Sequence, residues 1–478
     1  MMRSRHSWLC VLSSAGLLCL VVACASAPTS LTPSPIASPP LAASPANPPP
    51  QNYFGINTEG EVVNHEMLRP LAAASGAQMM RFIVEWSALE KTAGEYSWES
   101  ADQVINALTE NHFEPLILIM NNPAWAANST CGPVKDLVAY DRFLRALATR
   151  YPQVKYWALY NEPDNAAYPE APRGGCFGGD DIDGNGKRDV EDYAEQLRIA
   201  WRAIHESNPD ARLLSGALAY DNFDQATAPA GYPGRGQGGI FGYHFLPQLL
   251  AYMDAHPLPN GEKYFDVLSF NFYYIYGDYW ASQAGGVGVS AKANALNALL
   301  RAHSINAPLL VSETGEDSTR VGVNEQSNFL VKTYVRGLAS GILATVWWTF
   351  QDYPDSAPPP ANTWKYGLID EQAKPKPSYM AFQTITRELT DAQFVQTLPL
   401  QGGEAYLFTQ DGAGKAVVWS SSEAPVVIPF AATVLHVRDL YGTETIISDG
   451  SPQDNDAAVG RIGVGVGPSP VYIQVTAS

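Results

Sequence analysis

From Tyr53 to Leu389, short apolar runs alternate with longer amphipathic ones, and the alternation repeats eight times. Nothing else in the chain restricts the fold as strongly. Strands that all run one way need a crossover between each pair, and eight such units close into an α/β (β/α)₈ TIM barrel. Strands are expected at Tyr53–Ile56, Met79–Val84, Leu116–Met120, Val154–Tyr160, Arg212–Gly216, Val267–Tyr274, Leu309–Ser312 and Leu343–Phe350. The helical runs include Asn64–Ser75, Trp98–Asn111, Val134–Arg150, Val190–Asn208, Ala291–His303 and Asn324–Ser340, with a last helix ending near Leu389. From Phe394 the texture changes to short alternating runs (Ala405–Thr409, Ala416–Ser420, Val434–Val437, Val471–Val475) broken by Gly, Asp and Pro. That reads as a small antiparallel β-sandwich. The expected domains are a barrel over 52–390 and a sandwich over 391–478 that packs against it.

Two of the strands end on a carboxylate. Trp157-Ala-Leu-Tyr-Asn-Glu-Pro-Asp164 leads an apolar segment into Glu162, and Pro163 stops the strand, so the carboxylate sits on a rim rather than in a core. Pro308-Leu-Leu-Val-Ser-Glu313-Thr-Gly315 repeats the pattern. Barrels carry reacting groups at the carboxyl ends of their strands, so Glu162 and Glu313 face one mouth. A lone strand-end glutamate is ordinarily a salt-bridge partner. A pair across one mouth is what glycoside chemistry by two carboxylates needs. Asn161 adds an amide for a sugar hydroxyl or the adjacent carboxyl. Trp125, Trp157, Trp347 and Trp348 are placed at the same rim, as faces on which a pyranose stacks.

Charge and the N-terminus narrow the setting. The chain has 30 Lys and Arg against 48 Asp and Glu, a net charge of −18. That disfavours nucleic acid as a partner and suits a neutral or weakly charged substrate. Arg3 and Arg5 precede an apolar run, Trp8 to Ala23, that is short for a membrane span. It ends Leu20-Val-Val-Ala-Cys24, which resembles a bacterial lipoprotein signal over 1–23 with Cys24 as the lipid-bearing first residue. An ordinary secretory signal cut near Ala25-Ser-Ala27 is the alternative. The Pro-, Ser- and Ala-rich stretch over 24–51 is too poor in apolar residues to fold and forms a semi-rigid tether. Of five Cys, Cys131 and Cys176 remain once Cys10 and Cys19 leave with the signal and Cys24 is acylated. In an exported chain they read as one disulfide, against the alternative of two buried thiols. The expectation is an exported monomer, lipid-anchored at the cell surface or the periplasmic face of a bacterial membrane.

Asn161-Glu162-Pro163 and Ser312-Glu313-Thr-Gly resemble the two catalytic motifs of retaining glycoside hydrolases of clan A, which share a (β/α)₈ barrel. Arg81, in Met79-Met-Arg-Phe-Ile-Val-Glu-Trp86, is similar to the strand-two arginine that pairs with the nucleophile. Glu90-Lys-Thr-Ala-Gly-Glu-Tyr-Ser-Trp98 resembles the segment opening the second helix. Tyr273 is similar to the strand-six tyrosine bonded to the nucleophile, and Trp348-Thr-Phe-Gln-Asp352 to the tryptophan floor of the first subsite. The resemblance runs from Tyr53 to Leu389 and is nearest to families 39 and 5. It implies a poly- or oligosaccharide substrate, no catalytic cofactor, Glu162 as acid then base, and Glu313 as nucleophile ionised beside Arg81. Retention implies carboxyls about 5–5.5 Å apart. One position departs: Phe270-Asn-Phe-Tyr273 has Asn271 where many relatives carry His, so the first subsite is expected to suit an unusual sugar. The rival functions are a transglycosylase with the same intermediate and a non-catalytic glycan-binding lipoprotein.

A second motif stands apart. Asp181-Ile-Asp183-Gly-Asn185-Gly186-Lys-Arg-Asp189-Val-Glu-Asp192 fits the twelve-residue calcium-loop template, with oxygen ligands at positions 1, 3, 5, 9 and 12, Gly at 6, and the Lys187 carbonyl at 7. A structural Ca²⁺ is expected there, and a solvated acidic turn is the plain alternative.

Overall fold

The computed structural model describes residues 52–64, 66–167, 176–234, 239–422 and 425–475. The expected lipoprotein signal, Cys24 and the tether lie outside the described residues. Among the described residues no helix is long and apolar enough to cross a membrane.

Eight parallel strands make the barrel: β1 (Tyr53–Asn57), β2 (Met79–Glu85), β3 (Glu114–Met120), β4 (Tyr156–Leu159), β5 (Arg212–Leu214), β6 (Leu268–Phe272), β7 (Leu309–Thr314) and β8 (Ala344–Trp347). They are bonded in the order β5-β4-β3-β2-β1-β8-β7-β6. Bridges from Leu214 to Val267 and from Leu218 to Phe270 close the ring between β5 and β6. A helix follows each strand in turn: α1 (Leu68–Ala74), α2 (Glu99–Glu110), α3 (Leu137–Arg150), α4 (Asp189–Ser207), α5 (Phe245–Ala255), α6 (Val289–Ala302), α7 (Val323–Ala339) and α8 (Pro377–Leu389). Local chemistry sets their starts. The Asp136 carboxylate accepts the Ala139 amide at 2.9 Å to cap α3, and Pro377 opens α8 where no amide is needed. On α2 the buried residues Ala101, Val104, Ile105 and Leu108 form one apolar stripe.

Side-chain parity along the strands separates two layers. On β3, Leu116 and Leu118 point inward and pack with Met79, Ala158, Leu214, Leu310 and Val346. Ile117 and Ile119 point outward under the helices. The same parity corrects the placement of two tryptophans. Trp157 and Trp347 are fully buried on the outer faces of β4 and β8, in the same apolar clusters as the helix residues Leu197 and Leu330 respectively. They are core, each stabilising the barrel by about 1.5–3 kcal/mol through burial, and neither lies at the rim.

Two further features were not expected. Helix α5 is hidden in the sequence by Pro247 and the Gly-rich stretch before it; a proline in a first turn interrupts no helical hydrogen bond. On β7 the register slips against both neighbours. Phe270 and Asn271 of β6 face Val311 and Glu313, while Thr345 and Trp347 of β8 face Val311 and Thr314. Ser312 is thus an extra residue, a β-bulge that reverses parity beyond it.

The C-terminal part holds β9 (Gln393–Leu398), β10 (Gly403–Gln410), β11 (Ala413–Ser420), β12 (Val426–Phe430), β13 (Val434–Arg438), β14 (Glu444–Ser448), β15 (Ile462–Val466) and β16 (Val471–Val475). Six of them form an antiparallel sheet, β9-β10-β11-β16-β13-β14, faced by the β12–β15 pair. Parity again does the sorting. Ala405, Leu407, Ala416, Val418 and Ile473 turn into the sandwich's own core, while Tyr406, Phe408, Val417, Trp419 and Tyr472 pack with Leu330, Tyr379, Phe382 and Ile385 of α7 and α8.

Candidate active site

The backbone bends sharply where β4 ends. Tyr160 and Glu162 have φ of 60° and 50°, a left-handed conformation that costs a side-chain-bearing residue about 1–3 kcal/mol. The bend is held on every side. The Glu162 amide donates to Ala217 O, and the Asn165 amide to Glu162 O, both at 2.9 Å. Asp164, fully buried, accepts the amides of Ala219 and Tyr220 at 3.0 and 2.6 Å and so fixes the chain after β5 against the chain after β4. Nothing in the sequence around Asp164 marks this role.

Glu162 and Glu313 are brought to one mouth, and their surroundings differ. Arg81, nearly buried, donates through Nη1 to Glu313 Oε2 at 3.2 Å and to Asn57 Oδ1 at 2.8 Å, and through Nη2 to Asn161 Oδ1 at 2.7 Å. The Tyr273 hydroxyl donates to Glu313 Oε1 at 2.6 Å. Both carboxylate oxygens of Glu313 therefore face donors. Asn271 donates to Glu162 Oε1 at 3.2 Å and accepts from Ser312 Oγ at 3.0 Å. Asn271 is thus a clamp on Glu162. Asn161 spends its carbonyl on Arg81 and keeps its amide for another partner.

Burial, reinforced by the charges of Glu313 and Asp164, pushes Glu162 up to about 8, against smaller lowering effects of Asn271 and Arg81. Burial also raises Asp164, to about 6, with its backbone hydrogen bonds opposing. Behind both lies Lys292, fully buried on α6, whose ammonium donates to Ala219 O and Asn271 O at 2.5 and 3.0 Å and stands 3.4 Å from Asp221. Sequence reading missed Lys292 because a helical lysine ordinarily faces solvent.

Aromatic rings line the β8 side. Trp348 is partly exposed and packs on Tyr366, Trp364 and Tyr353 with centroids 5.0, 5.4 and 5.8 Å away. Tyr366 reaches Tyr273 at 6.3 Å, joining this wall to Glu313. Gly315 makes room for it, since a Cβ there would lie 2.4 Å from Trp348 O. Trp125 is anchored apart from this network, with its indole donating to Glu90 O at 3.0 Å and its ring edge-on to Trp86.

Cys131 and Cys176 form the expected disulfide, with Cα atoms 4.7 Å apart, and it ties the loop after β3 to the loop after β4. The Asp181–Asp192 segment follows it and runs into α4, which starts at Asp189. Among the described residues no three His, Cys, Asp or Glu side chains are gathered as if around a metal.

Solved structures share this architecture. A family 39 glycoside hydrolase from the gut symbiont Bacteroides cellulosilyticus superposes with a TM-score of 0.63 at 21% identity, covering 89% of this chain and 81% of its own. A family 30 endoxylanase from Clostridium papyrosolvens gives 0.57 at 13% identity over 90% and 98%. A glucosidase from Croceicoccus marinus gives 0.57 at 12% identity over 90% and 97%. No family model matches the sequence, and no curated protein matches it. The fold is therefore one that glycoside hydrolases also use, and function has to be argued from the site.

Proposed function

We propose that this protein is a retaining glycoside hydrolase acting on a poly- or oligosaccharide outside the cell. The observation that carries the reading is two carboxyls at one mouth in unlike surroundings: Glu162, raised to about 8 by burial, takes a single donor from Asn271, while Glu313 is met by Arg81 and Tyr273 on both oxygens. In the first step Glu313 bonds to the anomeric carbon as the glycosidic C–O bond breaks, and the departing oxygen takes the proton of Glu162. In the second step water gives a proton to the Glu162 carboxylate and its oxygen to the anomeric carbon, releasing Glu313. Arg81 and Tyr273 hold the nucleophile through both steps, and Trp348 offers a face for the sugar ring.

Neighbours named for an endoxylanase and for a glucosidase share the barrel, so the fold alone does not select a sugar. The charge at the mouth supports a neutral one. Glu59, exposed at the end of β1, accepts from Asn57, the residue that also holds Arg81, and adds negative charge that repels a uronate. Export and lipidation at Cys24 belong to the same reading; a Cys24→Ser chain that stayed in the membrane fraction would contradict them.

The test is product stereochemistry followed by NMR on a panel of aryl glycosides, with a 2-deoxy-2-fluoroglycoside as trap. Retained anomeric configuration and a covalent label on Glu313 are expected. Inverted product, or a label elsewhere, would overturn the assignment.

A further inference from the structure

The reaction above makes no use of the loop from Asp181 to Asp192. Gly184 and Gly186 have φ of 73° and 81°, conformations open to glycine, and the chain there curls back on itself. The Gly186 amide donates to Asp181 Oδ2 at 3.1 Å, and the Ile182 amide to Asp189 Oδ1 at 2.8 Å. Asp183 and Asp192, from opposite ends of the loop, converge on the amide nitrogen of Asn185 at 3.2 and 2.9 Å. The Asn185 amide is thus a partial positive charge shared between them.

Asp189 supplies a separate observation. Its side chain is fully buried against the loop it closes, and Oδ2 has no hydrogen-bond partner. An orphaned buried carboxylate oxygen is costly and calls for a cation. The basic side chains nearby do not provide one. Arg188 pairs with Glu191 at 2.7 Å, and the exposed Lys187 ammonium comes only to 4.0 Å from Asp192.

We propose that this loop binds one Ca²⁺ through the side chains of Asp181, Asp183, Asn185 and Asp192 and the carbonyl of Lys187, with Asp189 completing the negative shell. The donors are all oxygen, and their number and flexibility suit a hard ion that takes six to eight ligands better than Mg²⁺, which demands a tight octahedron and keeps its waters. The ion acts on the wall behind the general acid. Phe177 N donates to Pro163 O at 2.8 Å and Gly178 N to Asn165 O at 3.0 Å, while Asp189 N donates to Asp180 O at 2.8 Å. Fixing the loop therefore fixes the segment that backs Glu162.

The test reads binding rather than turnover, so it stands or falls apart from the glycosidase reading. The chelator-stripped full chain is titrated with CaCl₂ and with MgCl₂ by calorimetry, and its melting is followed with and without calcium. Saturable one-site heat for calcium, weaker heat for magnesium, and a Tm rise of about 3–5 °C at saturation are expected. The Asp183→Ala/Asp192→Ala variant should lose both the heat and the rise while melting where the stripped parent melts. If that variant does not fold, Asp181→Asn is the substitute and must weaken calcium binding. No saturable heat in the parent, equal heat in the variants, or tighter binding of magnesium would overturn the proposal.

Discussion

Burial and the nearby charges of Glu313 and Asp164 raise Glu162 to about 8, outweighing the hydrogen bond from Asn271. That balance gives two signed predictions. Asn271→Leu removes a donor that favours the ionised form, so the alkaline limb of the kcat/KM–pH profile should move upward from about 8. A limb that stays put or moves down would refute the clamp. Glu162→Gln should lower turnover of an unactivated glycoside about 10²–10⁴-fold. Its stability should change in the opposite sense. The folded Glu162 binds its proton up to about 8, against an ordinary value of 4.5, so the parent carries stability below 4.5 that it loses as pH rises through 8. Glutamine titrates nowhere in this window, and the variant's Tm should gain on the parent's as pH climbs through it. A constant Tm difference would mean that Glu162 is not protonated in the folded state. At this scale the sequence was informative: Glu162, Glu313, Arg81 and Tyr273 were all picked out by their motifs and do meet at one mouth, because strand ends are where local pattern marks a side chain. Asp164 and Lys292 were not, since their partners, Ala219, Tyr220 and Asn271, come from distant parts of the chain.

Among the elements, β7 shows why a readable motif does not explain its own aim. Leu310 points into the barrel and Val311 out of it. Strict alternation would send Ser312 inward and Glu313 under the helices, and only the bulge at Ser312 turns the carboxylate back to Arg81. Register depends on two neighbouring strands, which no window of sequence contains. The same limit put Trp157 and Trp347 at the rim, since the motif gave their position along the strand but not the face. Helix α6 contributes across elements as well. Through Lys292 it links the chain after β5 to the end of β6. Lys292→Met should destabilise the protein by about 3–5 kcal/mol, because two carbonyls lose their donor and Asp221 is left without its cation. Urea unfolding measures this, and a loss below about 1 kcal/mol would show the ammonium to be dispensable.

For the whole molecule, the packing of the sheet faces on α7 and α8 predicts a single unfolding event. Tyr406, Trp419 and Tyr472 belong to the same apolar cluster as Phe54, Trp347 and Phe382, and Arg336 of α7 makes a two-pronged ion pair with Glu404 of β10 under the Trp419 ring. Calorimetry should give one endotherm; two resolved endotherms would mean that the parts melt separately. Arg336→Ala should cost about 3 kcal/mol by stranding Glu404, of which only 18% is exposed. The alternating runs after Phe394 revealed a sandwich, yet β12 and β15 escaped notice because Pro429 and the glycines of Ile462–Val466 dilute their pattern. The seam has a consequence for inheritance. A recombination joint at Thr390 would hand a new host a barrel whose α7 and α8 still carry aromatic sockets shaped for a lost neighbour. Lineages that exchange the small sheet must therefore exchange those two helices with it, or drift together residue by residue.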